Sequence, residues 1–287
     1  MIPMKKSLNA DTQKTSAKGH DQVPRSLFLI VATGFALRLI NLGTASLWQD
    51  EVWELLKSDH VVDIFRSGNF MSNHPPFYNV LLACWGYLGL ADGEWTARLF
   101  PALIGTMTIP MVFVVGKRLC SERIGLVAAF LLAASPFHVL HSQDMKCYIL
   151  LPLVGTYCVL LFLKAIDRNT WPSWLAYGIC AAMACYTEFF AGFLLIGINL
   201  WYIALGRKDQ GRLFRWFAAN AVGALLFVPF LGISLLKAKA IMIDAVNWWI
   251  PRPSLLTVAY YFKTLAFGYS DFKPLYPIAT AFFMGLF

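Results

Sequence analysis

Charged residues are scarce in this chain. Asp, Glu, Lys and Arg together make up 14% of its 287 residues, whereas hydrophobic residues make up 58%. A soluble domain carries about 25% charged residues, so this composition, with a mean hydropathy of +0.59, excludes an ordinary soluble protein. It predicts an integral membrane protein in which ionisable side chains near the bilayer are candidates for function.

Paired cysteines and internal repeats are also lacking. The six cysteines show neither the C-x-x-C spacing of a metal site nor the pattern of a disulfide framework. We interpret them as small buried hydrophobic residues. The chain shows no repeat of the kind that marks inverted-repeat transporters.

The net charge of +8 does not predict nucleic-acid binding. Basic residues occupy the N-terminal tail and short loops between apolar segments, around residues 117–123, 164–168 and 207–215. Membrane proteins are oriented with such basic loops in the cytoplasm. We therefore expect a cytoplasmic N-terminus and no nucleic-acid partner.

The apolar segments predict an all-α, multi-spanning helical bundle. Residues 1–25 are polar and are interpreted as a disordered cytoplasmic tail, and no signal-peptide cleavage site follows the first apolar segment. A spanning helix needs about 17–25 apolar residues. The segments that reach or nearly reach that length are 26–43, 99–116, 124–141, 147–163, 172–187, 189–205 and 214–236. The shorter segments 77–90 and 255–269 are interpreted as interfacial or re-entrant helices, the first of them within an outer loop over residues 44–98.

The membrane module is expected to cover residues 26–287 and to lack further C-terminal helices. Its last apolar run, 277–287, is too short to cross a bilayer. The run also carries no polar terminus. The sequence is therefore expected to be truncated or to belong to a longer reading frame.

This topology brings ionisable residues from distant parts of the sequence to one non-cytoplasmic face. They are Asp50, Glu51, His74, Glu94, Arg98, Asp144, Lys146 and Glu188. Such convergence at the membrane surface is more typical of an active site than of scattered solvation.

Two adjacent carboxylates follow the first apolar segment. Asp50 and Glu51 are either solvated acids on a loop or a general base with a neighbour that orients a group or binds a cation. Desolvation makes a carboxylate a stronger base. Trp48 and Trp53 flank the pair and would supply apolar surroundings at the interface.

Two further motifs precede or begin the next long span. The His-Pro-Pro motif at residues 74–76 either starts a helix or holds His74 and Tyr78 rigidly near the carboxylate pair. Glu94 and Arg98 are four residues apart. They form either a helical ion pair or, through the arginine, a contact with a lipid phosphate.

A polar turn and an isolated acid complete the set. The turn between two spans holds Gln143, Asp144, Lys146 and Tyr148. Turns need polar residues, but the lysine would also offer a cation to a phosphate leaving group. Glu188 lies between two apolar helices, and we expect it at the outer surface with a partner.

Two metal sites are conceivable from spacing. His138, His141 and Asp144 follow one another at three-residue intervals and either share a metal or mark the membrane interface. Asp50, Glu51 and Asp144 could hold a divalent cation such as Mg²⁺ or Mn²⁺. The sequence leaves both possibilities open.

In this order, the motifs resemble those of the polyprenyl-phosphate-dependent, multi-spanning glycosyltransferases of the GT-C superfamily, which include the protein O-mannosyltransferases and the bacterial aminoarabinose transferases. The matching segments are Arg38 with Leu42-Gly43, Ser46–Glu51, His74–Tyr78, Glu94–Arg98, Pro136–His138 and Ser142–Tyr148. Weaker matches are Tyr186-Thr187 and Trp249–Pro253. The resemblance covers most of the chain from about residue 26.

The resemblance implies a membrane glycosyltransferase that moves a sugar, with inversion, from a polyprenyl-phosphate donor to an acceptor hydroxyl at the non-cytoplasmic face. By resemblance, Asp50 acts as general base beside Glu51, while Arg98 and Lys146 hold the donor phosphate. The residues expected to support the substrate site are His74, Tyr78, Glu94, Gln143, Asp144, Tyr148 and Glu188. The acceptor would be a glycolipid, a polysaccharide or a protein, and the setting a bacterial plasma membrane.

Two positions depart from the family's pattern. Asp144 stands where Glu is usual, and Lys146 where Arg is usual. Lysine cannot make the bidentate phosphate contact of arginine, so the donor would be held differently. The rival interpretations are a lipid or solute transporter and an inactive truncated module. A polar cluster at one face favours the transferase, because transporters usually bind near the midplane.

Overall fold

The fold is that of a computed structural model. It describes residues 23–60, 62, 74–206, 209–244, 254, 257, 260, 263 and 264, with the backbone alone from 233 to 244. The predicted tail up to residue 22, the segment 249–253, most of the segment 255–269 and the final run 277–287 lie outside the described residues.

The described part of the chain consists of helices and connecting loops, and none of it is a strand. In chain order the α-helices are α1 (Arg25–Leu39), α2 (Gln49–Asp59), α3 (Phe77–Tyr87), α4 (Glu94–Leu119), α5 (Glu122–Ala134), α6 (Pro136–His141), α7 (Leu150–Arg168), α8 (Trp171–Thr187), α9 (Ala191–Ala204) and α10 (Gln210–Asp244). A 3₁₀ turn, Cys147–Ile149, leads into α7. The all-α prediction is confirmed.

Within the part of the chain that the structure describes, three helical segments are long and apolar enough to cross a membrane. They are Glu94–Leu119, Cys147–Arg168 and Gln210–Gly232, and each overlaps a predicted span. The other predicted spans are shorter helices, such as α8 with 17 residues and α9 with 14 residues. At about 1.5 Å per residue, a helix the length of α9 covers about 21 Å of a hydrocarbon core about 30 Å thick.

The predicted span 124–141 is not one continuous helix, and this part of the prediction is wrong. The chain leaves helical geometry at Ser135, because the following Pro136 has no N–H and disfavours a helical residue before it. The Ser135 hydroxyl then accepts from the backbone N–H of His138 and caps α6. The break allows the polar turn after α6 to approach α1.

Helix α3 represents the predicted interfacial segment. Its 11 residues make a rod of about 16 Å, too short to span. It packs against α2 and buries Tyr78, Asn79, Leu82 and Ala83. The pair α2–α3 therefore forms a small helical unit beside the long helices.

Aromatic residues fill the core between α7, α8 and α9. The Phe162 ring meets those of Trp174, Tyr177 and Tyr202 at centroid distances of 5.0 to 6.0 Å. All four side chains are buried. Tilted and edge-to-face contacts of this kind stabilise by about 0.5–1.5 kcal/mol per pair beyond area burial.

Helices α8 and α10 approach each other closely at Gly178. A Cβ atom placed there would lie 2.3 Å from the Ala219 carbonyl oxygen. Because no side chain fits in that gap, glycine is required by the packing of two helix backbones.

The two ends of the bundle differ in charge. Lys117, Arg118, Arg123, Lys164 and Arg168 lie at the ends of α4, α5 and α7 away from the polar turn. The opposite end gathers the C-terminus of α1, the N-termini of α2, α4 and α7, and the C-terminus of α8. The predicted site residues lie at that opposite end.

Candidate active site

A cleft of about 730 Å³ opens where α1 ends and where α2, α4 and α7 begin. Seven of the predicted site residues line it, namely Asp50, Glu51, Arg98, Gln143, Asp144, Lys146 and Tyr148. The sequence separations between them are large, so the fold assembles this set. His74, Tyr78, Glu94 and Glu188 do not line the cleft.

Asp50 is the accessible carboxylate of the adjacent pair. Its side chain is 49% exposed, and its Oδ2 lies 3.2 Å from Nζ of the buried Lys146. The lysine ammonium also lies 5.9 Å from the centroid of the Trp48 ring. An acid and a base are thus presented together to the cleft.

Glu51, in contrast, forms a buried ion pair with Arg98. Its Oε1 and Oε2 lie 2.9 and 2.6 Å from Nε and Nη2 of the arginine, and the carboxylate is 1% exposed. The remaining guanidinium N–H groups donate to the backbone carbonyls of Leu42, Ala45 and Ser46. A guanidinium has five donors, and all five are used within the protein. The geometry therefore makes Arg98 a clamp on the loop rather than an open phosphate ligand.

The same arginine does not pair with Glu94. The Glu94 side chain is exposed and accepts a long hydrogen bond, 3.4 Å, from the Leu47 N–H. Of the two interpretations drawn from their spacing, the helical ion pair is wrong. Arg98 turns instead toward the buried Glu51.

Glu54 is a buried acid that sequence reasoning missed. Its Oε2 accepts from Asn79 Nδ2 at 2.7 Å, and its Oε1 lies 3.0 Å from Lys57 Nζ and 3.4 Å from Lys146 Nζ. Lys146 therefore bridges Glu54 and Asp50. The available signal was helical spacing, since Glu54 follows Glu51 by three residues and so shares a face of α2 with it.

Asp144 is a half-buried acid on the cleft. Burial raises its pKa to about 6, although the indole N–H of Trp48, 3.1 Å from Oδ1, acts in the opposite direction by stabilising the anion. This carboxyl therefore changes charge in mildly acidic solution. Neutralising it makes the cleft less repulsive to a phosphate.

The polar turn is fastened to α1 by Arg38, which sequence reasoning used only as part of a motif. Arg38 is fully buried, with Nη2 2.7 Å from His138 Nδ1 and Nε donating to the Ser142 hydroxyl at 3.1 Å. Gln143 Nε2 donates to the carbonyls of Arg38 and Ile40. The sequence signal for such a partner was an arginine within the otherwise apolar first segment.

The predicted His138–His141–Asp144 metal site is not supported by this arrangement. His138 Nδ1 faces the Arg38 guanidinium, and a cation beside a ligand nitrogen opposes metal binding. His141 packs edge-on against Phe137 and Tyr148. Its role is that of an aromatic side chain at the cleft wall.

The Asp50–Glu51–Asp144 cation site also finds little support. Glu51 is held by Arg98, Asp50 by Lys146 and Asp144 by Trp48. Each carboxylate already has its own partner. A hard divalent cation here stays a prediction that would require these contacts to rearrange.

His74 and Glu188 lie together beside the cleft. His74 Nδ1 is 2.6 Å from Glu188 Oε2, and His74 Nε2 is 3.5 Å from the Tyr148 hydroxyl. Burial alone would raise the pKa of Glu188, but the hydrogen bond and charge of His74, with bonds from Cys147 and the Phe189 N–H, hold it below its usual value. The structure thus gives Glu188 partners, as its position between apolar helices indicated.

Tyr78 is a core residue of α3 rather than a cleft residue. It is fully buried, and its ring lies 5.6 Å from that of Phe100. Its hydroxyl has no hydrogen-bond partner within the described part of the chain. A supporting role for Tyr78 in the substrate site stays a prediction.

Comparison with known proteins gives a family. Residues 73–233 match the family described as dolichyl-phosphate-mannose-protein mannosyltransferase. Protein O-mannosyl-transferase 1 of Mus musculus is 27% identical over 203 residues, which cover 60% of this chain and 27% of that protein. The chain thus spans less than a third of the length of this relative.

Two solved structures share the fold. The Saccharomyces cerevisiae protein O-mannosyltransferase Pmt1–Pmt2 complex, bound to the sugar donor, matches with a TM-score of 0.55 and 20% identity, covering 77% of this chain and 35% of that one. ArnT from Cupriavidus metallidurans in the apo state matches with a TM-score of 0.58 and 22% identity, covering 88% and 49%.

Proposed function

Because the chain belongs to the dolichyl-phosphate-mannose-protein mannosyltransferase family, we propose that it transfers a sugar from a polyprenyl-phosphate donor to an acceptor hydroxyl, with inversion. The observation that carries the proposal is the difference in exposure between two adjacent acids. Asp50 is half exposed on the cleft beside Lys146, whereas Glu51 is buried against Arg98. Only the first is accessible to an acceptor.

Asp50 acts as the general base in this proposal. Its carboxylate takes the proton of the acceptor hydroxyl, and the hydroxyl oxygen attacks the anomeric carbon of the sugar. The bond between that carbon and the phosphate oxygen breaks, and its electron pair leaves with the polyprenyl phosphate. Phosphate is a good leaving group, so no strong general acid is needed.

Lys146 stabilises the charge that develops on the phosphate. In the resting cleft its ammonium is shared between Asp50 and Glu54. When Asp50 becomes protonated, one of these anionic partners is neutralised and the ammonium is freed toward the phosphate. Proton removal from the acceptor and stabilisation of the leaving group are thereby coupled through one lysine.

Arg98 has a supporting role in this scheme. Its donors hold Leu42, Ala45 and Ser46 in the loop before α2 and fix the Glu51 carboxylate. This places Asp50 at the cleft. Direct phosphate binding by Arg98, implied by resemblance, would require it to exchange several of these contacts.

The site is proposed to face the non-cytoplasmic side of a bacterial plasma membrane. The support is charge distribution, because the basic loops around residues 117–123 and 164–168 lie at the far end of the bundle from the cleft. Cysteines introduced at Thr44 and Ser121, in a chain whose exposed Cys84 and Cys120 are replaced by serine, would test this orientation with a membrane-impermeant maleimide on intact cells. Labelling at Thr44 alone is expected, and labelling at Ser121 alone would reverse the orientation.

The transfer itself is tested by mass spectrometry of envelope glycolipids and glycoproteins from a deletion strain carrying wild type, Asp50→Asn or Glu94→Gln. We expect a sugar-sized mass to return with wild type and with the exposed-acid control, and not with Asp50→Asn. Restoration by Asp50→Asn would remove Asp50 as the base. Unchanged glycans in the deletion strain would contradict the transferase and favour the transporter.

A further inference from the structure

Three side chains of different chemistry converge beside the cleft. The ligand-type atoms of His74, Cys147 and Glu188 all lie within 4.8 Å of one another. His74 precedes α3, Cys147 opens the turn into α7, and Glu188 ends α8. The cluster therefore joins three parts of the fold that are distant in sequence.

We propose that His74, Cys147 and Glu188 form a binding site for a borderline transition-metal ion of the Zn²⁺ class. Imidazole, thiolate and carboxylate are the ligand types that Zn²⁺ takes in proteins. A thiolate disfavours Mg²⁺ and Ca²⁺, which prefer oxygen ligands. The site is thus chemically distinct from the hard-cation site considered at Asp50 and Asp144.

The observed distances suit a single ion with little movement. Ligands bound tetrahedrally to Zn²⁺ at about 2.0–2.3 Å lie roughly 3.5 Å apart. Glu188 Oε2 is 3.4 Å from Cys147 Sγ and 2.6 Å from His74 Nδ1. Moving Oε2 and Nδ1 apart by about an ångström would seat the ion.

The atoms of these residues that face away from the cluster are also held. Metal-bound histidines usually hydrogen-bond through the second ring nitrogen, and here His74 Nε2 lies 3.5 Å from the Tyr148 hydroxyl. The second oxygen of Glu188 accepts from the Phe189 N–H at 3.0 Å. Both side chains are thereby aimed before any ion arrives.

Burial separates this group from an ordinary surface cluster of acids. Glu188 and Cys147 are each 3% exposed. A buried carboxylate needs a cationic or hydrogen-bonding partner, and an ion supplies charge to it as well as to a thiolate. On binding, the Cys147 thiol loses its proton to solvent. The proton between His74 Nδ1 and Glu188 Oε2 must also leave Nδ1, to solvent or by transfer to Nε2, before that nitrogen and the carboxylate bind the ion. Water or a phosphate oxygen completes the coordination.

Cobalt(II) provides the test, because a cysteine thiolate bound to Co²⁺ gives a charge-transfer absorption in the near ultraviolet. The full chain, purified in detergent under reductant, is stripped with a chelator and titrated with Co²⁺ and then with Zn²⁺. We expect the band to saturate at about one Co²⁺ per chain and to be abolished by Zn²⁺. Absence of a saturable band in wild type would overturn the proposal.

Three variants locate the ion. Cys147→Ser should remove the band, and His74→Ala should weaken Co²⁺ binding at least tenfold. Cys84→Ser is the matched control, since that thiol is exposed and lies outside the cluster. A band that persists in Cys147→Ser, or disappears in Cys84→Ser, would overturn the assignment. Gel filtration identifies any variant that has failed to fold. If Cys147→Ser fails, the Co²⁺ affinity of a folded His74→Ala variant decides whether the ion binds at this cluster.

This readout does not depend on sugar transfer. A chain that binds one Co²⁺ through Cys147 but transfers no sugar would retain the metal site and lose the proposed function. A chain that transfers sugar but binds no Co²⁺ would retain the proposed function and lose the metal site.

Discussion

The carboxylate of Glu51 and the guanidinium of Arg98 form a buried, two-pronged ion pair, with oxygen–nitrogen distances of 2.9 and 2.6 Å. It joins the first turn of α2 to the second turn of α4. The pair buries one of two adjacent acids, whereas the neighbouring Asp50 stays half exposed at the cleft.

Breaking this pair on one side should destabilise the protein strongly. Removing one partner of a buried ion pair leaves an uncompensated charge and costs about 3–5 kcal/mol. We expect Glu51→Leu and Arg98→Met each to lower the Tm of the protein in detergent. The double variant should recover part of the loss, because neither charge then remains. Single variants that melt like the exposed-acid control Glu94→Gln would contradict this view of the pair.

Glu54→Gln should impair turnover without a large loss of folding. The substitution removes one of the two carboxylates that contact the Lys146 ammonium. The ammonium is then expected to shift toward Asp50 and away from the phosphate. We expect kcat to fall about 10- to 100-fold, a scale typical of small misplacements, with little change in the acceptor KM.

Lys57→Gln is the matched control for Glu54. Lys57 contacts the same carboxylate at 3.0 Å but, as a cation itself, supplies no negative charge to hold the Lys146 ammonium. Equal losses of kcat in Glu54→Gln and Lys57→Gln would show that Glu54 acts only through general stability. Recovery of kcat in Glu54→Asp would support positioning.

Asp144 should make phosphate binding and stability depend on pH. Its pKa is raised by burial from 3.8 to about 6, so the folded state holds this proton more tightly than the unfolded chain does. The corresponding stability is fully present below about pH 4 and is lost as pH rises through about 6. Binding of a polyprenyl-phosphate analogue should strengthen as pH falls through about 6, because the Asp144 carboxyl becomes neutral.

Asp144→Asn isolates this group from the titration of the phosphate itself. In the variant, the difference in binding free energy between pH 7.5 and pH 5 should shrink. The pH dependence that remains comes from titration of the ligand's phosphate. Titration calorimetry at the two pH values measures it. Identical pH dependence in wild type and Asp144→Asn would rule out a role for this carboxyl.

Gly178→Val should disrupt the packing of α8 on α10. The added Cβ would lie 2.3 Å from the Ala219 carbonyl oxygen, and a backbone atom cannot move aside as a flexible side chain can. We expect a large drop in Tm or loss of folded protein. Gly197→Val on α9, where a Cβ meets open space, is the control and should be close to wild type.

The helical class and the end of the bundle that carries the polar residues could be predicted because both depend on local composition. Apolar length predicts helices in a bilayer, and loop charge predicts which ends lie together. Asp50 and Lys146 were found in this way. Their contact at 3.2 Å lies between residues almost a hundred positions apart, and no local pattern predicts it.

The environment of Arg98 shows why helical spacing does not decide which partner a side chain takes, because partners compete. Spacing along α4 left open whether Arg98 pairs with Glu94 or contacts a lipid phosphate, and exposed ion pairs of this kind stabilise by less than about 1 kcal/mol. A buried carboxylate on another helix offers a stronger contact, and Arg98 bonds to Glu51 instead. The break at Ser135 was visible in principle, because Pro136 marked it.

Arg38 has a consequence for synthesis of the chain. Its guanidinium hydrogen-bonds to Ser142, 104 positions later. At about 5–20 residues per second, the ribosome needs several seconds more before that partner exists. During most of this interval the only one of its described hydrogen-bond partners already synthesised is the Gly34 carbonyl of the same helix. Translation speed over the segment between Arg38 and Ser142 therefore sets how long the first helix lacks this long-range contact.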